Sequence, residues 1–175
     1  MKNIILIYIL LSSAIFAGGI KEKVEREINA HFKNSSMEIV KYTIPKNVRM
    51  KIEKTVNQRF FRSTIVYWKI KRNNKLAAIA ILDNVYGKTM PITFLVFFNL
   101  DGKILDSKVI KYRESHGGEI SNKNWLVQFK NKDSKSSFDF GKDIDGISGA
   151  TISAKSISKG IQKLSILAKI ILDKL

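Results

Sequence analysis

The chain has 175 residues, a length that suits one domain, and 45% of them are hydrophobic, enough for an ordinary packed core. It has no cysteine, which excludes disulfides, thiolate metal sites and a lipid anchor on cysteine, and two histidines, His31 and His116, make a zinc site a poor expectation. The formal charge of +16 points to an acidic partner or an anionic membrane surface, although a lysine-rich proteome would account for it equally well. Nucleic acid is not expected as a partner, because the lysines are spread along the whole chain and no basic block reaches the length of a tail.

Residues 1–19 have the layout of an export signal. Lys2 gives a positive start, Ile4 to Leu11 is an apolar run, and small residues follow at Ser12, Ser13, Ala14, Ala17, Gly18 and Gly19. The run is short for a membrane span, which needs about 20 residues; retention as an uncleaved anchor is the alternative. Cleavage after Ala14, Ala17 or Gly19 would remove one charge, that of Lys2. The expected location is therefore periplasmic, or the extracytoplasmic face of the membrane, and export also argues against nucleic acid.

Residues 20–62 form an N-terminal layer in this reading. Ile20, Val24, Ile28 and Phe32 step by four with charges between them, the pattern of an amphipathic helix. Ser36 to Ile44 reads as a strand that stops before Pro45. Val48, Ile52, Val56 and Phe60 mark a second helix over 46–60. Residues 63–175 form the main domain. Ser63 to Arg72 is dense in β-branched and aromatic residues, Asn73-Asn74 makes a turn, and Lys75 to Asp83 is the partner strand. Ile92 to Asn99 and Lys103 to Tyr112 flank Asp101-Gly102, a second hairpin. Asn124 to Phe129 turns helical, and Asn131 to Ser137 is a polar, lysine-rich loop. Trp125, Phe129, Phe138 and Phe140 are expected in the core. Ala154, Ile157, Ile161, Leu164, Ala168, Ile171 and Leu175 form the apolar stripe of a C-terminal helix. The fold class is α+β: an antiparallel sheet with N-terminal helices and one C-terminal helix.

Two stretches carry chemistry. In Asp145-Gly146-Ile147-Ser148-Gly149-Ala150-Thr151-Ile152-Ser153, two glycines allow a sharp turn and the close approach of a ligand to the main chain. Ser148 is the candidate N-cap of the helix that follows. Thr151 and Ser153 then stand where unbonded N–H groups meet the positive end of the helix dipole, a place suited to phosphate. No P-loop is present, because no Gly-Lys-Ser/Thr follows at the required spacing. The second stretch, Tyr112-Arg113-Glu114-Ser115-His116-Gly117-Gly118-Glu119, leaves the second hairpin at a glycine pair. Ser115 and His116 are adjacent, which is unsuitable for a nucleophile and its base, and no G-x-S-x-G is present, so hydrolysis is not expected.

The string Asp145-x-x-Ser148-Gly149-Ala150-Thr151 resembles the flavinylation motif of the FMN-binding domain family, which includes flavoprotein subunits of Na⁺-translocating and Rnf-type electron-transfer complexes. Glu114-Ser115-His116-Gly117 is similar to the family's Glu-x-x-Gly signature, with Ser-His where members in membrane complexes more often carry Thr-Pro. Val85-Tyr86-Gly87-Lys88 and Pro91-Ile92 fit its general pattern more loosely. The resemblance covers roughly Ser63 to Ile171 and implies covalent FMN, attached by a flavin transferase through a phosphoester to Thr151. It further implies that Asp145, Ser148, Gly149 and Ala150 form the string the transferase reads. Ser153, Glu114, Gly117 and Gly118 would lie near the cofactor, and Lys155 could offset phosphate charge. On this reading the chain is a redox carrier rather than a stand-alone enzyme, with further redox proteins as partners. A flavin-dependent reductase of a small substrate and a non-enzymatic basic binding protein remain the alternatives. Direct use of a nicotinamide is not expected, since no G-x-G-x-x-G is present.

Overall fold

The computed structural model describes residues 19–175; the expected export signal lies outside them except for Gly19. Five strands, β1 (Ser36–Thr43), β2 (Thr64–Arg72), β3 (Lys75–Tyr86), β4 (Pro91–Asn99) and β5 (Ile104–Lys111), form one antiparallel sheet in sequence order. The helices are α1 (Gly19–His31), α2 (Lys46–Val56), the single turn α3 (Lys123–Leu126) and the long α4 (Thr151–Leu172). Short 3₁₀ turns cover Gly118–Ser121 and Val127–Phe129. The α+β class and the antiparallel sheet agree with the sequence pattern.

The two hairpin turns follow from their residues. Asn73 and Asn74 both take positive φ, 51° and 60°, as a two-residue turn matched to the twist of its strands requires. At the other turn, Gly102 takes φ +83°, and the Asn99 side-chain oxygen accepts the N–H groups of Asp101 and Lys103 at 3.1 and 2.8 Å. β1 pairs with β2 along its whole length, from Ser36 opposite Lys71 to Thr43 opposite Thr64. Residues 20–62 and 63–175 therefore share one sheet.

Both faces of the sheet are covered, so β4 (Pro-Ile-Thr-Phe-Leu-Val-Phe-Phe-Asn) is buried at every interior position, where a one-sided sheet would show alternation. Leu95 and Phe97 face α1 with Trp68, Ile70 and Ala80, meeting Val24 and Ile28. Phe94, Val96 and Phe98 face α2 and α4 with Ile79, Ile81 and Val85. Lys23 of α1 donates to the Ile110 carbonyl at 2.6 Å, and His31 lies 3.6 Å from Asp106. α1 thus runs antiparallel to β5 and starts at the end of the sheet where β5 leads out. α4 comes close to the sheet at Gly160, where a Cβ would stand 2.8 Å from both Phe94 and Val85.

Four boundaries differ from the sequence pattern by more than one residue, each for a physical reason. α2 ends at Val56 because Asn57 turns left-handed (φ 49°) and its N–H bonds the Glu53 carbonyl; Phe60 still reaches the core, its N–H held by Glu53 Oε1 at 2.8 Å. β3 continues past Asp83 to Tyr86 because it stays paired with β4 as far as Pro91, and the Asp83 carboxylate buried within it meets Lys163 of α4 at 3.1 Å. Both side chains are buried, and Lys163 also donates to the Arg59 carbonyl at 3.0 Å. Burial pushes the Asp83 carboxyl up, and Lys163 pulls it part of the way back. Leu175 lies beyond the end of α4 and is exposed, so the stripe closes at Ile171. Ser148 does not cap α4: the helix begins at Thr151, with Ala150 in the cap position and no side-chain cap bond. The start is delayed because Gly149 is left-handed (φ +75°) and the Ala150 N–H turns back to the Ile147 carbonyl at 3.0 Å.

Candidate functional site

Three segments meet at the start of α4. The first is the exit of β3, Tyr86 to Met90. The second is the chain leaving β5, Tyr112 to Gly118. The third is the loop from Asp145 into α4. Arg113 pins the second to the sheet, donating from Nη1 to the Pro91 carbonyl at 2.6 Å and to Thr93 Oγ1 at 3.2 Å.

Glu114 joins all three. Its Oε1 accepts the Thr89 and Met90 N–H groups at 2.8 and 3.2 Å. Its Oε2 accepts the Ser153 hydroxyl at 3.3 Å and lies 3.3 Å from the Tyr112 hydroxyl, which also bonds the His116 carbonyl. Partial burial pushes the Glu114 carboxyl up, but these donors, led by the Thr89 and Met90 N–H groups, outweigh it and hold the carboxyl below its ordinary range. The Tyr112 phenol is pushed up, first by burial and then by the neighbouring carboxylate, against the Ser153 hydrogen bond. Gly87 lies against this network: a Cβ there would collide with the Glu114 carboxylate and stand 2.9 Å from Ser153 Oγ.

Gly117 allows the same close approach between the second and third segments. It is left-handed (φ +82°), and a Cβ on it would stand 2.7 Å from the Ala150 Cβ and 2.8 Å from the Tyr112 hydroxyl. Ala150, 5% exposed, is thus seated on the turn, and Thr151 follows it as the first helical residue. Thr151 and Ile152 are exposed while Ser153 points inward. The N–H groups of this first turn have no acceptor within the helix, and the positive end of its dipole lies here.

Between the segments is a cavity of about 650 Å³, walled by Lys88 and Thr89, by Tyr112 with Glu114–His116, and by Gly149–Ser153. It brings together Thr151, Gly149, Ala150, Ser153 and Glu114 of the residues singled out in the sequence. Gly117 stands behind the wall, and Gly118 has open space around it. Asp145 and Ser148 are exposed outside the cavity. Asp145 is fixed by its backbone: Trp125 Nε1 donates to its carbonyl and its own N–H donates to Gln128 Oε1, both at 2.8 Å. Trp125, Phe129 and Phe138 are core residues, and Phe140 packs against the core half-buried. Lys155 is exposed. Tyr112 opens the second motif stretch and Lys88 closes the loose Val85–Lys88 match, but neither is an expected site residue, and Thr89 carries no sequence signal. Among the described residues no group of His, Cys, Asp and Glu is arranged to hold a metal ion.

A family model described as the FMN-binding domain matches residues 87–165, a span that opens on Gly87 and takes in all three cavity segments. A subunit of the ion-translocating oxidoreductase complex of Buchnera aphidicola subsp. Schizaphis graminum is 27% identical over 180 aligned residues, 91% of this chain and 86% of that protein. The crystal structure of Shewanella oneidensis NqrC has the same fold, with a TM-score of 0.58 over 86% of this chain and 88% of that one, at 18% identity. The residues present suit FMN. The cavity lies in the range of roughly 300–1,000 Å³ usual for small-ligand sites, a helix start faces it with unbonded N–H groups for a phosphate, and the exposed Ile152 supplies an apolar wall for a ring.

Proposed function

We propose that the chain is an exported flavoprotein that passes electrons between protein partners, with FMN joined through a phosphoester to Oγ1 of Thr151. The observation that carries this is the exposed Thr151 hydroxyl at the first helical position of α4, on the wall of a cofactor-sized cavity within the FMN-binding domain. The N–H groups of the first helical turn would hold the phosphate oxygens, and Lys88 and Lys155 would offset their charge. Lys88–Thr89 and Ser115–His116 would flank the ring, with Glu114 holding both walls in place. Bound FMN supplies the redox chemistry, taking up and releasing one or two electrons. The protein supplies position and electrostatics.

Asp145, Ser148 and Gly149 are exposed, where a flavin transferase could read them, while Ala150 is buried against Gly117 and would set the position of Thr151. The similar Buchnera protein belongs to an ion-translocating oxidoreductase complex, which supports redox partners for this chain. Export agrees with a tether, since a covalent cofactor is not lost by dissociation where free flavin is scarce. The charge of +16 suits an anionic membrane surface. The test is expression with and without an active flavin transferase and Mg²⁺, followed by acid precipitation. Yellow colour that stays with the precipitated protein only when the transferase is present supports the reading. A colourless chain, with the transferase proven on a control substrate, removes it.

A further inference from the structure

The exit of β3 carries a feature that the cofactor cavity does not use. Tyr86 is 65% exposed, more than any other large apolar side chain among the described residues, although it ends a strand in the middle of the sheet. It touches Phe61 at a ring-centroid distance of 5.2 Å and a tilt of 41°. The pair borders a second hollow of about 390 Å³ between the α2–β2 connection and α4, with Arg59 on its rim. Arg59 and Arg62, on either side of the aromatic Phe60-Phe61 step, are exposed, as is Lys88 on the other side of Gly87. Gly87, next to Tyr86, packs on the Glu114–Ser153 network that walls the cofactor cavity. The aromatic pair is therefore within a few residues of the flavin site. The carboxylates around this surface are engaged: Glu53 accepts the Phe60 N–H at 2.8 Å, the buried Asp83 pairs with Lys163, and Glu114 is turned inward and occupied by four donors, so the exposed charge here is that of Arg59, Arg62 and Lys88.

Resting on the flavoprotein reading, we propose that this surface, Tyr86 and Phe61 with Arg59, Arg62 and Lys88, is where the redox partner docks, and that the partner is an acidic protein. An exposed tyrosine backed by the half-buried Phe61, with arginines beside them, has the composition of interface centres, and a positive rim steers an acidic partner into register. Docking at the strand exit would bring the partner's redox group beside the cavity.

The probe is plant plastocyanin, an acidic one-electron carrier, titrated into the full chain at low salt, with basic cytochrome c as comparison. Plastocyanin should bind and cytochrome c should not. Arg59→Glu with Arg62→Glu should weaken plastocyanin binding about tenfold or more, and Tyr86→Ser should weaken it without changing net charge. Lys33→Glu with Lys135→Glu, the same charge change on exposed residues elsewhere, should have a much smaller effect. Equal weakening by both charge pairs, or no effect of Tyr86→Ser, would show attraction by net charge alone and overturn the proposal. Affinity is measured whether or not the chain carries flavin, so failure of the flavin assignment shows separately as missing visible absorbance.

Discussion

Gly117→Ala measures how tightly the two motif segments are locked. In the wild type Gly117 has φ +82°, a conformation that costs a residue with a Cβ about 1–2 kcal/mol. The added methyl would lie 2.7 Å from the Ala150 Cβ and 2.8 Å from the Tyr112 hydroxyl, well inside the ordinary contact of roughly 3.5–4.0 Å. Relieving such overlap costs about 1–3 kcal/mol, so the loss should be about 2–5 kcal/mol in all. With a urea dependence of about 1–3 kcal/mol per molar, the unfolding midpoint should fall by about 0.7 M or more. Gly118→Ala is the control, since a Cβ there meets nothing within 4 Å and its φ is not positive; it should move the midpoint little. Because Ala150 precedes Thr151, Gly117→Ala should also alter the visible spectrum of flavin-loaded protein, while Gly118→Ala should not. Equal midpoints for the two variants would refute the argument that Gly117 seats the start of α4.

Three further outcomes follow from the same geometry. Lys163→Met leaves the buried Asp83 carboxylate without its cation and should cost about 3–5 kcal/mol. The deficit should shrink as pH falls and Asp83 takes up a proton, and adding Asp83→Leu should recover much of it; a double variant as unstable as the sum of the singles would contradict the pairing. Glu114 has its carboxyl held below the ordinary range, so its contribution to stability is present above about pH 4.3 and is lost as pH falls through the lower folded value. Glu114→Gln should therefore destabilise at pH 7, and the gap should narrow progressively as the pH is lowered below about 4; a gap that stays constant across that range would remove the hydrogen-bonded carboxylate as the cause. Protein recovered from outside the cytoplasm should begin between Ile15 and Ile20 by intact mass, whereas full-length chain recovered mainly from the cytoplasm would remove the rationale for a tethered cofactor.

Local pattern carried most of the sheet and the helices. Asn73-Asn74 and Asp101-Gly102 announce hairpins because few residues tolerate positive φ, and the stripe on α4 announces a helix because it recurs at helical steps. Pairings between distant segments were not legible. Asp83 reads as a strand end until Lys163, far along the chain, is brought opposite it. β1 reads as part of a separate layer because nothing in Ser36–Thr43 says which strand it will meet. The site divides the same way. Gly149, Ala150, Thr151 and Ser153 are consecutive or nearly so, and the glycines with the helix stripe mark their place. Thr89 is brought to the cavity by Glu114, whose partners come from three segments. Ser148 looks like a cap by residue type, but a left-handed Gly149 and a buried Ala150 move the start of the helix past it.

Intact mass of Thr151→Val, prepared beside the wild type and Thr151→Ser with an active flavin transferase, tests the central claim most directly. Valine keeps the shape of threonine at the exposed first position of α4 and removes the oxygen that would carry the phosphoester. The wild type should gain the mass of one esterified FMN. Thr151→Ser, which keeps a hydroxyl, should gain it in part, and Thr151→Val should remain unmodified while unfolding at the wild-type midpoint. Equal flavin mass on the wild type and on Thr151→Val would contradict the assignment of Thr151 and place the attachment on another residue.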